Sequence, residues 1–218
     1  MRHPDEGLPE PAQPEELFVA FANTLSYDHG QPVDTIADSD ELLAWLRSRD
    51  LLSSRGQAAE AGKLRRQPGE AARRLGRFRH LREVLQGAAA DVSARGRPSR
   101  QRVRELNQIL RRGMHYHQLL LQPGGGRYTV GQVGDRLDQA RAAIASSLAY
   151  FLADDAATRL RVCANEQCRF VFVDRSPAGR RRWCDMRTCG NQAKVARHRA
   201  RIRARGAGAG VPAEAASG

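Results

Sequence analysis

Apolar residues recur every three or four positions along much of the first 155 residues, which is the period of a helix with one buried face. The first such stretch contains Leu17, Phe18, Phe21 and Leu25, and a turn-forming cluster at 28–32 ends it. Three later stretches show the same period, and their apolar positions are Leu75, Phe78, Leu81 and Leu85, then Val103, Leu106, Leu110 and Met114, then Leu137, Ile144, Leu148 and Phe151. The pattern predicts a mainly helical N-terminal region.

Local signals predict where two of these helices begin. Asp38 precedes "SDELLAWLRS" and Glu41 follows it by three positions, which is the spacing of a capping box. Pro98 and Ser99 open the helix that contains Val103. The second helix is therefore expected to start directly after Asp38.

A glycine-rich segment at 122–134, "QPGGGRYTVGQVG", predicts a loop with a short strand or hairpin. It lacks the preceding strand and the Lys-Ser or Lys-Thr pair of a phosphate-binding loop, so it predicts no nucleotide site. His115 and His117 fall two positions apart in the predicted helix before it, where their side chains would point in different directions rather than toward one metal ion.

The pattern changes near the C-terminus. Residues 170–173 alternate as a strand does, and "DRSPAG" at 174–179 predicts a turn that leads into a return strand carrying Arg180, Arg181 and Arg182. After Cys189 no helix breaker occurs before Gly206, so a helix is predicted there. Its Val195 and Ile202, seven positions apart, are expected to face the hairpin.

These patterns divide the chain into four parts. Residues 1–14 hold four prolines and are predicted to be disordered, 15–155 form a helical domain, 156–205 form a small module, and 206–218 form a flexible tail. No run reaches the roughly 20 apolar residues of a membrane span, and the N-terminus is acidic and proline-rich rather than signal-like. We expect a cytoplasmic, nucleoid-associated protein.

The net charge of +12 is concentrated in the small module. Residues 1–155 carry a net charge of +2, whereas 156–205 carry +11. Such clustering is typical of a surface that binds a polyanion, because each cation near a phosphate releases condensed counterions. The module has 13 Arg and one Lys, and guanidinium groups bind phosphates and guanine edges in bidentate fashion, although the whole chain contains only two Lys.

Four cysteines occur in two evenly spaced pairs within this module. Cys163 and Cys168 have four residues between them, as do Cys184 and Cys189, and 15 residues separate the pairs. Four thiolates suit one tetrahedral Zn²⁺ with no open position for water, so the ion is expected to be structural. With few large apolar residues, the module would depend on metal for much of its folding energy. Buried or disulfide-linked thiols and a redox switch remain alternatives.

The predicted C-terminal helix presents cations in two strips. Lys194, Arg197 and Arg201 share one face, and Arg199 and Arg203 lie on a neighbouring strip. About −2 of charge on a tetrathiolate zinc centre would leave about +9 to meet a partner. The candidate nucleic-acid contacts are Arg180, Arg181, Arg182, Asn191, Gln192, Lys194, Arg197, Arg199, Arg201 and Arg203.

The segment "CANEQCRFVFVDRSPAGRRRWCDMRTCGNQAKVARHRAR" closely resembles the CGNR zinc finger, a bacterial module named for a Cys-Gly-Asn-Arg tetrad at its fourth ligand. The earlier "ELFVAFANTLSYDHGQPVDTIADSDELLAWLRSRDLL", with its Asn23-Thr24 pair, resembles the ABATE domain that usually precedes it. The resemblance implies a treble-clef-like knuckle, hairpin and helix, and a stress-related transcription regulator that binds DNA without enzymatic activity. Gln192 stands where the tetrad has Arg.

The combined hypothesis is a transcription regulator in which the helical domain senses a signal or dimerises and the zinc module binds double-stranded DNA. The signal is expected to be an unidentified small-molecule ligand of the helical domain. One module would cover only about 600–1,000 Å², so specificity would call for a homodimer or a second contact surface. RNA binding, a zinc or redox sensor, and binding of an acidic protein are the alternatives. Asn23, Thr24, Asp28, His29, His115 and His117 are polar candidates for catalysis, but their spacing assembles no nucleophile and base, so no enzyme is predicted.

Overall fold

The computed structural model describes residues 14–28, 30–122, 124 and 126–208, and this part of the chain is mainly helical, as predicted. Its helices are α1 (Pro14–Ala22), α2 (Ser39–Ser48), α3 (Ser54–Arg66), α4 (Pro68–Arg95), α5 (Arg100–Arg112), α6 (Arg136–Ala153) and α7 (Asn191–Gly208). Its strands form three antiparallel pairs, β1 (Leu25–Asp28) with β2 (Gln31–Asp34), β3 (Tyr116–Leu121) with β4 (Tyr128–Val133), and β5 (Leu160–Val162) with β6 (Val171–Val173). A 3₁₀ turn at Asp155–Arg159 and a π-turn at Met186–Gly190 complete it.

One hydrocarbon core holds α1 to α6 together. The largest fully buried side chains include Phe18, Phe21, Phe78, Leu81 and Ile144. The Phe21 ring lies between two other rings, with centroids 5.0 Å from Trp45 and 6.0 Å from Phe78 in edge-on geometry. Burial of this apolar face, at roughly 25 cal/mol per Å², stabilises the helical domain without help from a metal ion.

A buried ion pair fastens the β1–β2 hairpin to α4. Arg82, almost fully buried, donates from its two terminal nitrogens to the two carboxylate oxygens of Asp34, at 2.6 and 2.9 Å. One of these nitrogens also lies 3.2 Å from the Thr24 hydroxyl. The hydrogen bond from Arg82 lowers the pKa of Asp34, although partial burial of the carboxylate opposes that shift.

The predicted helix starts are confirmed, but one helix end is wrong. Asp38 and Glu41 form the complete capping box of α2, and Ser99 caps α5. By contrast α1 ends at Ala22, and Leu25 begins strand β1 rather than continuing the helix. The Thr24 hydroxyl donates to the Phe21 carbonyl at 2.8 Å, which competes with helical hydrogen bonding and ends α1 early.

Helix α3 was not predicted from the sequence, because it lacks an apolar stripe. Its buried positions are Gly56, Glu60 and Leu64, of which only Leu64 is a large hydrocarbon. Contact with α2 and α4 and a Ser53 cap fix it instead. A periodicity argument cannot detect such a helix.

The segment that follows α5 was predicted as helix and is a strand. Gly113 is the C-cap of α5, and Met114 falls outside the helix. A side chain at position 113 would clash, because a Cβ there would lie 2.0 Å from the Ala142 side chain. His117 lies in β3, and its ring is 5.8 Å from that of His115, so the two histidines approach each other instead of diverging. The hairpin predicted around 122–134 is confirmed for β4, but its partner strand is the supposed end of the helix.

The cysteine-containing region joins the helical core directly. Leu160 of β5 and Val171 of β6 are buried in the same cluster as Phe18 and Phe21. The Asn23 amide group pairs with β6 as a strand would, donating to the Val171 carbonyl and accepting from the Val171 N–H, both at 2.8 Å. Arg169 also lies over the Tyr27 ring. The cysteine-containing region is therefore anchored on the end of α1 rather than tethered by a linker.

Three predictions for the C-terminal region need correction. Strand β6 pairs with β5, and residues 180–182 form no strand, because β5 occupies the position that they were predicted to take. Val195 and Ile202 are 41% and 57% exposed and do not pack on the hairpin. Helix α7 passes through Gly206 to Gly208. The predicted disorder of 1–14 lies outside the described residues except for Pro14, which begins α1, and the predicted tail does so from residue 209 onward.

Candidate metal centre and nucleic-acid interface

The four cysteine sulfurs converge on one point. Their Sγ atoms all lie within 4.8 Å of one another, with 3.7 Å between Cys168 and Cys184 and 3.8 Å between Cys184 and Cys189. A tetrahedron of Zn–S bonds near 2.3 Å has sulfur–sulfur edges of about 3.8 Å. All four thiols are free, and these two separations are far longer than a disulfide bond of about 2.05 Å. The donor set fits one structural Zn²⁺, held by Cys163, Cys168, Cys184 and Cys189.

Backbone hydrogen bonds present the sulfurs from two short loops. In the first loop the Cys163 N–H donates to the Phe170 carbonyl and the Cys168 N–H donates to the Asn165 carbonyl, both at 2.8 Å. In the second, Asp185 caps the π-turn that carries Cys189 by accepting from the backbone N–H groups of Arg187 and Thr188. A hydrogen bond of 2.7 Å from the Ala164 N–H to the Arg182 carbonyl ties the loops together.

Asn165 supports the metal centre, and the sequence analysis did not single it out. Its side-chain amide lies 3.5 Å from Cys189 Sγ and donates to the Gln192 amide oxygen at 3.0 Å. Gln192, the departure from the family tetrad, therefore links the start of α7 to the first cysteine loop. The one signal for this role in the sequence is the position of Asn165 between the ligands Cys163 and Cys168.

Burial disfavours thiolates here in the absence of a cation. Burial raises the pKa of the Cys168 thiol to about 11, and it raises the pKa of the Cys184 thiol far above its usual range. Since zinc binds thiolate, the ion must displace protons from these residues. Zinc affinity is therefore expected to fall with falling pH.

The apolar part of this region is small. Cys163, Phe172 and Cys189 form its buried cluster, with Trp183 partly buried against them. Phe170 and Ile202 are exposed and lie outside this cluster. The ligating sulfurs themselves thus make up much of this core, as expected where a metal ion replaces hydrocarbon.

Asp174 organises the turn between the two loops. Its carboxylate is fully buried and accepts from the N–H and hydroxyl of Ser176 and from the Arg181 N–H. Burial opposes its ionisation, but these hydrogen bonds lower its pKa overall. Arg159 and Arg161 donate to the Ser176 and Gly179 carbonyls of the same turn. Some of the positive charge of the region therefore serves its own structure.

The three consecutive arginines occupy different environments. Arg181 is half-buried, where its guanidinium lies 5.5 Å from the Phe172 ring centre and donates to the Cys184 carbonyl. Arg182 is exposed and lies over the Trp183 ring, and Arg180 is exposed. Arg180 and Arg182 are thus available to a partner, whereas Arg181 is engaged internally.

Helix α7 is exposed along its described length. Every side chain from Lys194 to Arg203 is exposed, including the five predicted cations of the helix. Asn191 and Gln192 are also exposed at its start, next to the metal centre. Arg199 lines a groove between α7 and the first cysteine loop. All of the predicted contact residues except Arg181 are thus exposed.

The four polar candidates for catalysis that the structure describes do not form one site. Asn23 and Thr24 bind backbone at β6 and α1, while His117 lies in β3 and His115 precedes that strand. His29 and the Asp28 side chain lie outside the described residues.

A helical domain followed by a four-cysteine cluster and a basic helix defines a protein with one structural metal site. Two family models match the chain: residues 15–155 match the ABATE family, described as "Putative stress-induced transcription regulator", and residues 159–202 match the CGNR zinc finger. The protein belongs to the ABATE family and carries a CGNR zinc finger, as the resemblance predicted. A search of curated proteins gave no match. Among the described residues, no helix is long and apolar enough to cross a membrane.

Proposed function

We propose that this regulator binds double-stranded DNA through its zinc-finger region, with α7 as the main contact element. The observation that carries the proposal is the exposed strip formed by Lys194, Arg197 and Arg201. No carboxylate pairs with these cations in the described part of the chain, so their charge is available to phosphates. Helix α7 spans about 27 Å, and a major groove about 12 Å wide admits a helix.

The zinc ion has a structural role in this proposal. When bound, it links the two cysteine loops, and Cys189 and Asn165 then fix the start of α7. Arg180 and Arg182 lie on the second loop and would contact the phosphate backbone, while α7 cations contact phosphates or base edges. We expect the regulator to act in the cytoplasm, at the nucleoid, and to catalyse no reaction.

We also propose that the regulator is a homodimer joined through the β3–β4 hairpin. Leu119, Leu121, Tyr128 and Val130 are each more than half exposed on this projecting ribbon. A two-stranded hairpin is marginally stable alone, and its strands pair only with each other in the described structure. A second copy would cover the apolar surface and bring two DNA-binding regions into one assembly.

The dimer interface is tested by sedimentation analysis of two variants. Leu119→Lys should yield monomers and Gln118→Lys should not; equal behaviour of the two variants would exclude this interface.

The DNA proposal is tested by titrating a duplex at several salt concentrations. If four to six phosphates are neutralised, the logarithm of affinity should fall with the logarithm of salt at a slope of about −4 to −5. Replacing Arg197 and Arg201 with Gln should make that slope less negative by about two. Replacing Arg104 and Arg111 on α5, which are equally exposed, is the matched control. A wild-type slope near zero would exclude the proposal.

A further inference from the structure

A cationic cavity lies in the helical domain, away from the zinc-finger region. It has a volume of about 450 Å³, within the range of small-molecule sites, and lies between α4, α5 and α6. Arg73, Arg77, Arg112 and Arg141 line it, together with apolar surface at Ile109. Neither the family resemblance nor the DNA proposal gives this cavity a role.

Arg141 is the unusual residue of this cavity. It is only 4% exposed, and its Nε has no hydrogen-bond partner in the described structure. Its nearest carboxylate oxygen, on Asp138, is 3.5 Å from a terminal nitrogen. A buried guanidinium without hydrogen bonds is costly, because its five donors lose water and gain little in return.

The local charge balance is positive. Asp138 is shared by Arg74, Arg77 and Arg141, each with a nitrogen 3.5 to 3.6 Å from the carboxylate. Glu105 is the only carboxylate among the described lining residues, and it already accepts from Arg102 and Gln101. Arg112 forms no ion pair in the described part of the chain. Several guanidinium groups thus compete for one carboxylate.

Electrostatics supports the same interpretation. Burial lowers the pKa of Arg141; the carboxylate of Asp138 opposes this shift, and the charges of Arg77 and Arg112 reinforce it. Like charges held this close are stabilised by any anion that enters between them. Because Arg141 is almost fully buried and lines the cavity, an anion that contacts it there must be small enough to enter, which a nucleic-acid duplex is not.

We propose that this cavity binds a small organic anion, with a phosphate or carboxylate group held by Arg77, Arg112 and Arg141 and its carbon skeleton against Ile109. Guanidinium forks match the paired oxygens of both groups. This site gives the helical domain a ligand class, and it does not depend on whether the zinc finger binds DNA.

The test is calorimetric titration of the zinc-loaded full chain with inorganic phosphate and, separately, with succinate, each compared with potassium chloride at equal ionic strength. We expect saturable binding of at least one anion and none of chloride. Phosphate binding alone would assign a phosphorylated ligand, and succinate binding alone a carboxylate. Binding of neither would overturn the proposal.

Matched variants separate the cavity from the basic zinc finger, which also attracts anions. Arg112→Gln and Arg111→Gln each remove one exposed charge from the same helix, but only Arg112 lines the cavity. Arg112→Gln should weaken binding about tenfold or more, whereas Arg111→Gln should leave it unchanged. Equal losses in both variants would show diffuse attraction and overturn the proposal.

Arg141→Met gives a second, opposite pair of effects. It should abolish anion binding and leave the melting temperature of the anion-free protein unchanged or higher, because it removes a buried charge that lacks hydrogen bonds. A lower melting temperature together with unchanged anion binding would show that Arg141 serves packing alone. Should this variant fail to fold, the comparison of Arg112→Gln with Arg111→Gln still decides the matter.

Discussion

The helical domain and the zinc-finger region are stabilised by different interactions, although they share a boundary. The helical domain buries a continuous set of large hydrocarbons, such as Phe21, Phe78 and Ile144. Around the metal centre, by contrast, the buried cluster consists of Phe172 and two ligating cysteines, and the side chains of α7 from Lys194 to Arg203 are exposed. A hydrocarbon core tolerates loss of metal, whereas a core made largely of thiols does not. One chain can therefore draw its stability from two separable sources.

Removing zinc should have the largest effect. It should destabilise the zinc-finger region and leave the helical domain folded. Structural zinc sites contribute about 10–16 kcal/mol in finger peptides, which exceeds the stability of most domains. With a chelator present, amides of the cysteine loops and α7 should exchange hydrogen rapidly, while those of α4 stay protected. Hydrogen exchange read by mass spectrometry measures both regions at once.

Cys184→Ser in the presence of zinc should reproduce the effect of the chelator. Loss of protection across α4 in either case would contradict the idea that the two cores are independent. Full protection of the cysteine loops without metal would show that hydrocarbon packing suffices there.

Breaking the buried ion pair should destabilise the helical domain. Arg82→Met leaves Asp34 without its main partner and should cost about 3 kcal/mol in the free energy of unfolding, measured in urea. Zinc stoichiometry should not change. A second substitution, Asp34→Leu, should recover most of the loss, because the unpaired carboxylate is then gone; no recovery would mean that Arg82 acts mainly by packing.

Asn23→Ala tests the boundary itself. The variant leaves the Val171 N–H and carbonyl without partners, at a cost of about 2 kcal/mol. We expect thermal unfolding to separate into two transitions, because the variant loses the two hydrogen bonds that join β6 to the end of α1. Asn191→Ala, which changes an exposed amide on α7, is the control and should leave a single transition. Identical melting curves for both variants would argue that Asn23 carries no coupling.

Lowering the pH should release zinc before it unfolds the helical domain, and each titrating group should have a smaller effect on stability than the substitutions above. Burial raises the pKa of Cys168, so zinc is expected to dissociate as protons compete for the thiolates. Arg82 lowers the pKa of Asp34, so the stabilisation from this pair is present above about pH 4 and is lost as pH falls through the lowered value. Metal release should therefore precede unfolding of α4 in a downward pH titration followed by zinc indicator and circular dichroism. The reverse order would contradict this assignment.

Much of the helical domain could be predicted, because its helices carry an apolar stripe and recognisable caps. Asp38 and Glu41 fixed the start of α2, and Ser99 fixed that of α5. The prediction failed where tertiary contact decides. Gly113 caps α5 at a point too close to Ala142 for a larger residue, and the apolar residues of β3 lie on an exposed ribbon, so their period does not report a buried face.

The metal ligands could be predicted in full, since paired cysteines at equal spacing are a local signal. Their supporting contacts could not, because they join distant positions. Asn23 meets β6 across 148 residues, and Asn165 reaches Gln192 only after the cysteine loops close. The cavity around Arg141 depends on three helices and leaves no motif in the sequence. Among the predicted cations, only the structure distinguishes Arg181, which is engaged internally, from its exposed neighbours.

The most direct test of the central claim is to titrate zinc into the reduced, metal-free protein while following its affinity for a DNA duplex. The account predicts that affinity rises until one equivalent of zinc per chain is bound and then stays constant, because one tetrathiolate site orders the cysteine loops and α7. Equal DNA affinity with and without zinc would contradict it.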